Sequence, residues 1–171
     1  METKEQEVIV RGMKTINITN KDLINRLNPA FSELAMLKSN ADSGKLKYSI
    51  KRTINSIEDA VKRYAKQRNE IFEDRCKVDE EGNPMFDDKK NYLFEKPELK
   101  KEALKKLEEL DNEEIKLTIY PVSLENIINA TKQDLSIAME YNLGEFIEYA
   151  EGSEDAKFFE EIKAEKVKTK K

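Results

Sequence analysis

Residues 44–76 read GKLKYSIKRTINSIEDAVKRYAKQRNEIFEDRC, and their apolar side chains recur at alternating spacings of four and three. The recurrence gives one stripe through about six helical turns, interrupted at Arg68. A repeat of about 3.5 residues keeps the same seam facing its partner, so the stripe predicts one long helix of coiled-coil type, buried against other helices. The stripe consists of Ile50, Ile54, Ile57, Val61, Tyr64 and Ile71.

A second amphipathic segment precedes the long helix and is joined to it by small polar residues from Ser39 to Gly44. We therefore expect a long antiparallel helical hairpin made by residues 20–38 and 45–75. Pro29 interrupts the first of these helices, which predicts a kink there or a fresh start with Asn28 as the cap.

Two short segments show the alternation of a strand with one buried face. In the first, Ile16 and Ile18 alternate with polar residues, and in the second Ile115, Leu117 and Ile119 do so before Pro121. The two candidate strands are expected to pair with each other.

Between the long helix and the next one, residues 78–94 lose the helical period. Glu81-Gly82-Asn83-Pro84 is a strong turn signal, and residues 87–91 supply a second turn before Tyr92. This pattern predicts a short β meander.

The rest of the chain reads as short helices. Pro97 opens one helix, Ser123 caps another, and Thr131 is expected to cap a third that stops at Gly144. The predicted class is mainly α with a small β component (α+β). The predicted organisation is an N-terminal extension at 1–12, a single domain at 13–150 and a charged C-terminal tail at 151–171.

Composition narrows the classes of function. Charged residues make up 39% of the chain and the formal net charge is −4, which argues against direct nucleic-acid binding. Cys76 is the only cysteine, so an intramolecular disulfide and a cysteine-based zinc site are excluded. The absence of an apolar run of membrane-spanning length and of a secretory signal predicts a cytoplasmic protein that does not enter the membrane.

No catalytic pattern accompanies the helices. The chain has no histidine, which removes the commonest general base, and its five glycines are scattered, which argues against a phosphate-binding loop. The acidic residues around Gly82 do not follow the spacing of a calcium loop. We therefore predict no enzymatic activity, no catalytic residues, no cofactor and no metal site.

The predicted meander is the best candidate for a surface that contacts a partner. It combines acidic side chains with apolar ones, and Tyr92 is the expected aromatic anchor. The alternative is that its apolar residues pack back on the helices. The predicted partner-binding residues are Asp79, Glu80, Glu81, Met85, Phe86, Asp87, Asp88 and Tyr92.

Several short motifs, spread over residues 13–145, resemble a small protein family of tailed phages that infect low-GC Gram-positive bacteria. They are Gly44-Lys45-Leu46, Asp79-Glu80-Glu81-Gly82-Asn83, Asn91-Tyr92, Asn112-Glu113-Glu114 and Pro121-Val122-Ser123-Leu124. The resemblance implies a phage or prophage origin and action in the cytosol of the bacterial host. It brings no activity and no site residues with it.

Two functions stay open at this point. The first is a binding protein that inhibits a host factor, such as an antiviral defence complex, by stoichiometric protein–protein interaction. The second is an accessory or structural protein of virion or tail assembly. The expected partner is a host or phage protein, including one in a nucleoprotein complex, and homo-oligomerisation is compatible with both functions.

Overall fold

The computed structural model describes residues 12–36, 44–132, 134–149, 152–154, 156–158 and 160–161. Within these residues the chain is mostly helical with a small strand component, as the sequence predicts. The predicted extension at 1–12, except Gly12, and much of the predicted tail at 151–171 lie outside the described residues. So do residues 37–38 at the end of the first expected hairpin helix and residues 39–43 of the expected turn.

A two-stranded antiparallel ribbon is formed by the two predicted strands. β1 (Lys14–Thr19) pairs with β2 (Glu114–Ile119), and Ile16 lies opposite Leu117. Both of these side chains are buried, because alternate residues of a strand point to the same face. The predicted pairing of these strands is confirmed.

The first helical segment begins directly after β1. It consists of α1 (Asn20–Asp22), a π-helical turn (Leu23–Leu27) and α2 (Asn28–Met36), with the Thr19 hydroxyl accepting a hydrogen bond from the Asp22 N–H. Asn28 does not cap a fresh start, since its own backbone is helical and its N–H donates to the Leu23 carbonyl. The wider turn lies just before Pro29, whose ring would clash with the carbonyl of residue 25 in a regular α-helix.

The long helix α3 (Gly44–Glu73) carries the predicted stripe, but the stripe is not buried by helices alone. It packs against β2 and α4 (Pro97–Asn112) as well as against α2. The Thr53 hydroxyl, which is buried, accepts a hydrogen bond from the Tyr120 N–H at 3.0 Å, just beyond the end of β2. The apolar face of the ribbon also needs a cover, and the stripe provides it.

The C-terminal part adds a small parallel pairing and two helices. β3 (Val122–Ser123) pairs with β4 (Ile147–Glu148), and between them lie α5 (Leu124–Thr131), α6 (Ile137–Leu143) and a 3₁₀ turn (Gly144–Phe146). Ser123 caps α5 as predicted.

The expected cap of α6 is wrong. The Thr131 hydroxyl donates to the Ile127 carbonyl inside α5, and the Ser136 hydroxyl instead accepts a bond from the Met139 N–H at the start of α6. A threonine in the last turn of a helix can bond back to the preceding turn, which leaves the cap to the next hydroxyl in the chain.

One apolar core joins the two pairs of strands to the π-helical turn, α2, α3, α5, α6 and the 3₁₀ turn. Its largest fully buried side chains are Phe31, Phe146, Leu23, Leu27, Leu34, Leu46, Ile57, Leu117, Ile119, Ile127, Leu143 and Val122. Among the described residues, no helix combines the length and the apolarity that a membrane crossing requires.

Candidate interaction surface

The segment between α3 and α4 folds into two tight turns of similar design, which we call the double turn (residues 77–93). Val78 pairs with Pro84 across the first turn, and Phe86 pairs with Tyr92 across the second. The described residues of the predicted meander thus contain two isolated antiparallel bridges and no longer strand.

The first turn closes around the carboxylate of Asp79. Its Oδ1 accepts hydrogen bonds from the backbone N–H groups of Glu81 at 2.9 Å and Asn83 at 2.8 Å. Gly82 has a φ of +85°, a left-handed conformation that glycine adopts without a steric penalty. The bonds from Asn83 hold the pKa of the Asp79 carboxyl below its usual value, although the side chain is exposed.

The second turn repeats this arrangement eight residues later. The Oδ1 of Asp87 accepts from the N–H groups of Lys89 and Asn91, both at 2.8 Å. Lys90 takes the left-handed position, with a φ of +63°. Bonds from the Asn91 side chain and backbone lower the pKa of the Asp87 carboxyl.

A closed ring of backbone hydrogen bonds ties the two turns together. The N–H of Lys77 donates to the Leu93 carbonyl at 2.7 Å, that of Leu93 to the Met85 carbonyl at 2.9 Å, and that of Met85 to the Lys77 carbonyl at 2.9 Å. Because each of these residues, which are eight positions apart, both donates and accepts within the ring, the double turn is fixed without regular strands.

An aromatic cluster fastens the double turn to the end of α3. The Tyr92 ring stacks on Phe72 at 5.3 Å between centroids and lies 4.7 Å from the Phe86 ring. Phe72 also contacts Phe94 at 6.3 Å, and the Arg68 guanidinium lies 5.2 Å from its ring centroid. Burial, together with the nearby charge of Glu73, raises the pKa of the Tyr92 hydroxyl.

The predicted site residues divide into partly buried residues and exposed ones. Tyr92, the expected exposed anchor, is partly buried and packs back on α3, as the alternative interpretation had it, and Met85 is also partly buried. Phe86 is 50% exposed. The acidic members are all exposed, but two of them hold the turns; they are Asp79, Glu80, Glu81, Asp87 and Asp88.

Val78 is a surface residue that was not among the predicted partner-binding residues. It is 48% exposed and occupies the position in the first turn that Phe86 occupies in the second. The signal was present in the chain, because an apolar residue followed by Asp, and by Asn four residues after that Asp, occurs at 78–83 and again at 86–91.

A groove of about 880 Å³ lies between the double turn and α4, and we call it the α4 groove. Its apolar lining includes Leu104, which is 49% exposed, and the rings of Phe72 and Tyr92. Its charged lining residues are Arg68, Asp87, Lys90, Glu95, Lys96 and Lys100.

The described residues offer no obvious metal centre, since no three His, Cys, Asp or Glu side chains among them lie close enough together to hold an ion. The Cys76 thiol donates to the Glu73 carbonyl at 3.5 Å, and burial raises its pKa, which disfavours the thiolate form.

Comparison with protein-family models, with curated proteins and with solved structures finds no match for this chain. The phage resemblance therefore stays a prediction, and the function of the double turn has to be inferred from its own residues.

Proposed function

We propose that this protein is a non-enzymatic binding protein that acts by stoichiometric protein–protein interaction, with the double turn as its contact element. One observation carries the proposal: equivalent positions of two hydrogen-bonded turns present Val78 and Phe86, each about half exposed. Apolar side chains held in this way lose little conformational freedom when a partner covers them.

The charges around these two side chains suit a specific contact. Glu80, Glu81 and Asp88 are exposed beside them and would form a polar rim around an apolar centre. Such rim charges affect the association rate and the choice of partner more than the affinity.

The partner that we favour is a host factor, such as an antiviral defence complex, and the setting is the cytosol of a bacterium infected by a phage. Support for this setting comes from the resemblance to phage proteins, and support for inhibition comes from the exposed double turn, which can cover a functional surface of another protein. A nucleoprotein complex is included among the targets, with its protein part as the surface that is bound.

The test is affinity capture from infected cells with wild-type protein and a Val78→Ser, Phe86→Ser variant, followed by mass spectrometry. Removal of both apolar side chains is expected to abolish capture. The circular dichroism spectrum should be unchanged, because both residues are half exposed and the stack of Tyr92 on Phe72, which fastens the double turn to α3, involves neither of them. A Tyr92→Ala variant reports on folding, since Tyr92 stacks on Phe72. Capture that survives the double substitution would refute the double turn as the contact element.

The alternative function, an accessory or structural role in virion or tail assembly, has one observation in its favour. Met36 at 81% and Ile137 at 68% are the most exposed large apolar side chains of the described residues, and both lie away from the double turn in the sequence. Ile137→Ser thus serves as the matched control. If Ile137→Ser and not the double substitution abolishes capture, and capture yields virion proteins, assembly is the better description.

A further inference from the structure

We propose that the α4 groove binds an acidic peptide segment that carries an apolar anchor side chain, a proposal that rests on the proposed function and specifies the chemistry of the partner. The groove is continuous with the contact element, because Asp87, Lys90 and Tyr92 of the double turn form part of its wall. A partner that covers Phe86 would therefore have the groove within reach.

The apolar floor of the groove requires an apolar side chain in the ligand. Leu104 is half exposed on α4, and Leu107, Phe72 and Tyr92 continue the apolar lining. The volume of about 880 Å³ is that of a ligand site, and it accommodates an apolar side chain together with neighbouring backbone.

The charged rim of the groove requires acidic side chains in the ligand. Four of its six charged side chains are cationic, although the chain as a whole carries a net charge of −4. Asp87, one of the two carboxylates, accepts four hydrogen bonds from its own turn. Even with both carboxylates ionised, the four cations of the rim outnumber the two carboxylates, and this positive excess complements glutamates and aspartates.

Arg68, the residue that interrupts the apolar stripe of α3, belongs to the lining of the α4 groove. Its guanidinium lies 5.2 Å from the Phe72 ring centroid, so a cation is held beside the aromatic part of the lining. An arginine in this place can form a paired hydrogen bond with a carboxylate of the ligand.

A peptide fits this lining better than a single-stranded nucleic acid does. Bases stack on aromatic faces, whereas part of the floor here is leucine, and Tyr92 already stacks on Phe72.

The experiment titrates the full chain with a labelled glutamate-rich peptide that has a central Leu-Phe pair, and records amide chemical shifts and fluorescence anisotropy. Shifts are expected at groove residues, and Lys96→Glu with Lys100→Glu should weaken binding about tenfold or more. Lys101→Glu with Lys105→Glu, two exposed neighbours on α4 outside the groove lining, is the charge-matched control and should have little effect. Leu104→Ser, at an exposed position, tests the apolar anchor without disturbing the core.

Two further probes make the outcome decisive. A lysine-rich peptide with the same central pair should not bind, and a single-stranded oligonucleotide should compete poorly. Preference for the oligonucleotide, equal binding of both peptides, or no groove shifts at millimolar peptide would overturn the proposal. If the peptide fails while capture still depends on Val78 and Phe86, the proposed function stands without this inference. Peptide binding without that dependence would refute only the proposed function.

Discussion

Asp79 and Asp87 each hold one turn of the double turn through a carboxylate that stays exposed. Their acidity and their turn context suggested contacts with a partner, and the turns themselves were predicted. The structure uses both carboxylates as acceptors for the backbone N–H groups two and four residues further on. That use depends on the left-handed backbone at Gly82 and Lys90, and the latter is not evident from a lysine in the sequence.

Acid is therefore expected to loosen the double turn. Both carboxyls have a folded-state pKa below the usual value, so their contribution to stability is present above the unfolded-state pKa of about 4 and is lost as the pH falls through the folded-state pKa. Amide hydrogen exchange of residues 77–93 should speed up below about pH 4, relative to core amides compared at the same pH.

Substitution separates this effect from general acid denaturation. Asp79→Asn with Asp87→Asn keeps oxygen acceptors but removes the titration, so the acid-induced change should disappear. Glu80→Gln, which removes one charge from the first turn, should leave it in place. An unchanged acid response in the double Asn variant would contradict the role given to these carboxylates.

Among whole elements, α3 was the most predictable and its surroundings the least. Periodicity identifies which face of a helix is buried, but a strand, a helix or a loop can cover that face equally well. The pairing of β1 with β2 followed from alternation in both segments. The π-helical turn before Pro29 and the cap at Ser136 were not predicted. Each depends on which of several neighbouring groups forms the local hydrogen bond.

The contact between α3 and α4 includes a hydrogen bond that can be measured. The Tyr64 hydroxyl donates to Asp111 Oδ1 at 2.7 Å, and burial followed by this bond raises the pKa of Tyr64 to about 12. Tyr64→Phe should lower the free energy of unfolding by about 1 kcal/mol near neutral pH, as is typical of a partly buried bond.

The sign of the pH dependence adds a second test. A raised phenol pKa means that the contribution is complete below the unfolded-state pKa of about 10 and is lost as the pH rises through about 12. Urea denaturation at neutral pH measures the loss, with Tyr48→Phe on the exposed side of α3 as control, and the difference between the wild type and Tyr64→Phe should shrink as the pH rises from about 10 to about 12. Equal stability of the Tyr64→Phe variant and the wild type would mean that the bond does not help to join the helices.

At the scale of the whole molecule, the core depends on residues that are far apart in the chain. Ile57 is 1% exposed and belongs to the cluster that also contains Ile18, Leu117 and Phe146. The α+β class and many members of this cluster could be predicted from apolar periodicity. The α4 groove could not, because it requires the relative placement of α3, α4 and the double turn.

Ile57→Asp should destabilise the whole fold. An unpaired charge at this buried position should reduce the free energy of unfolding by several kcal/mol, a large part of the stability of a domain of this size. Thermal denaturation followed by circular dichroism measures the change, and Asn55→Asp, an exposed position on the same helix, is the control. A melting temperature equal to that of the control would show that α3 is not packed on the core.

Treatment with a strong chelator is expected to leave both the melting temperature and partner capture unchanged. Carboxylates that bind calcium direct their oxygens at the ion, but Asp79 and Asp87 use theirs to accept hydrogen bonds from their own turns. An ion would also find no group of three suitable side chains in the described part of the chain. A fall of more than a few degrees, restored by one particular ion, would show that a metal helps to stabilise the protein.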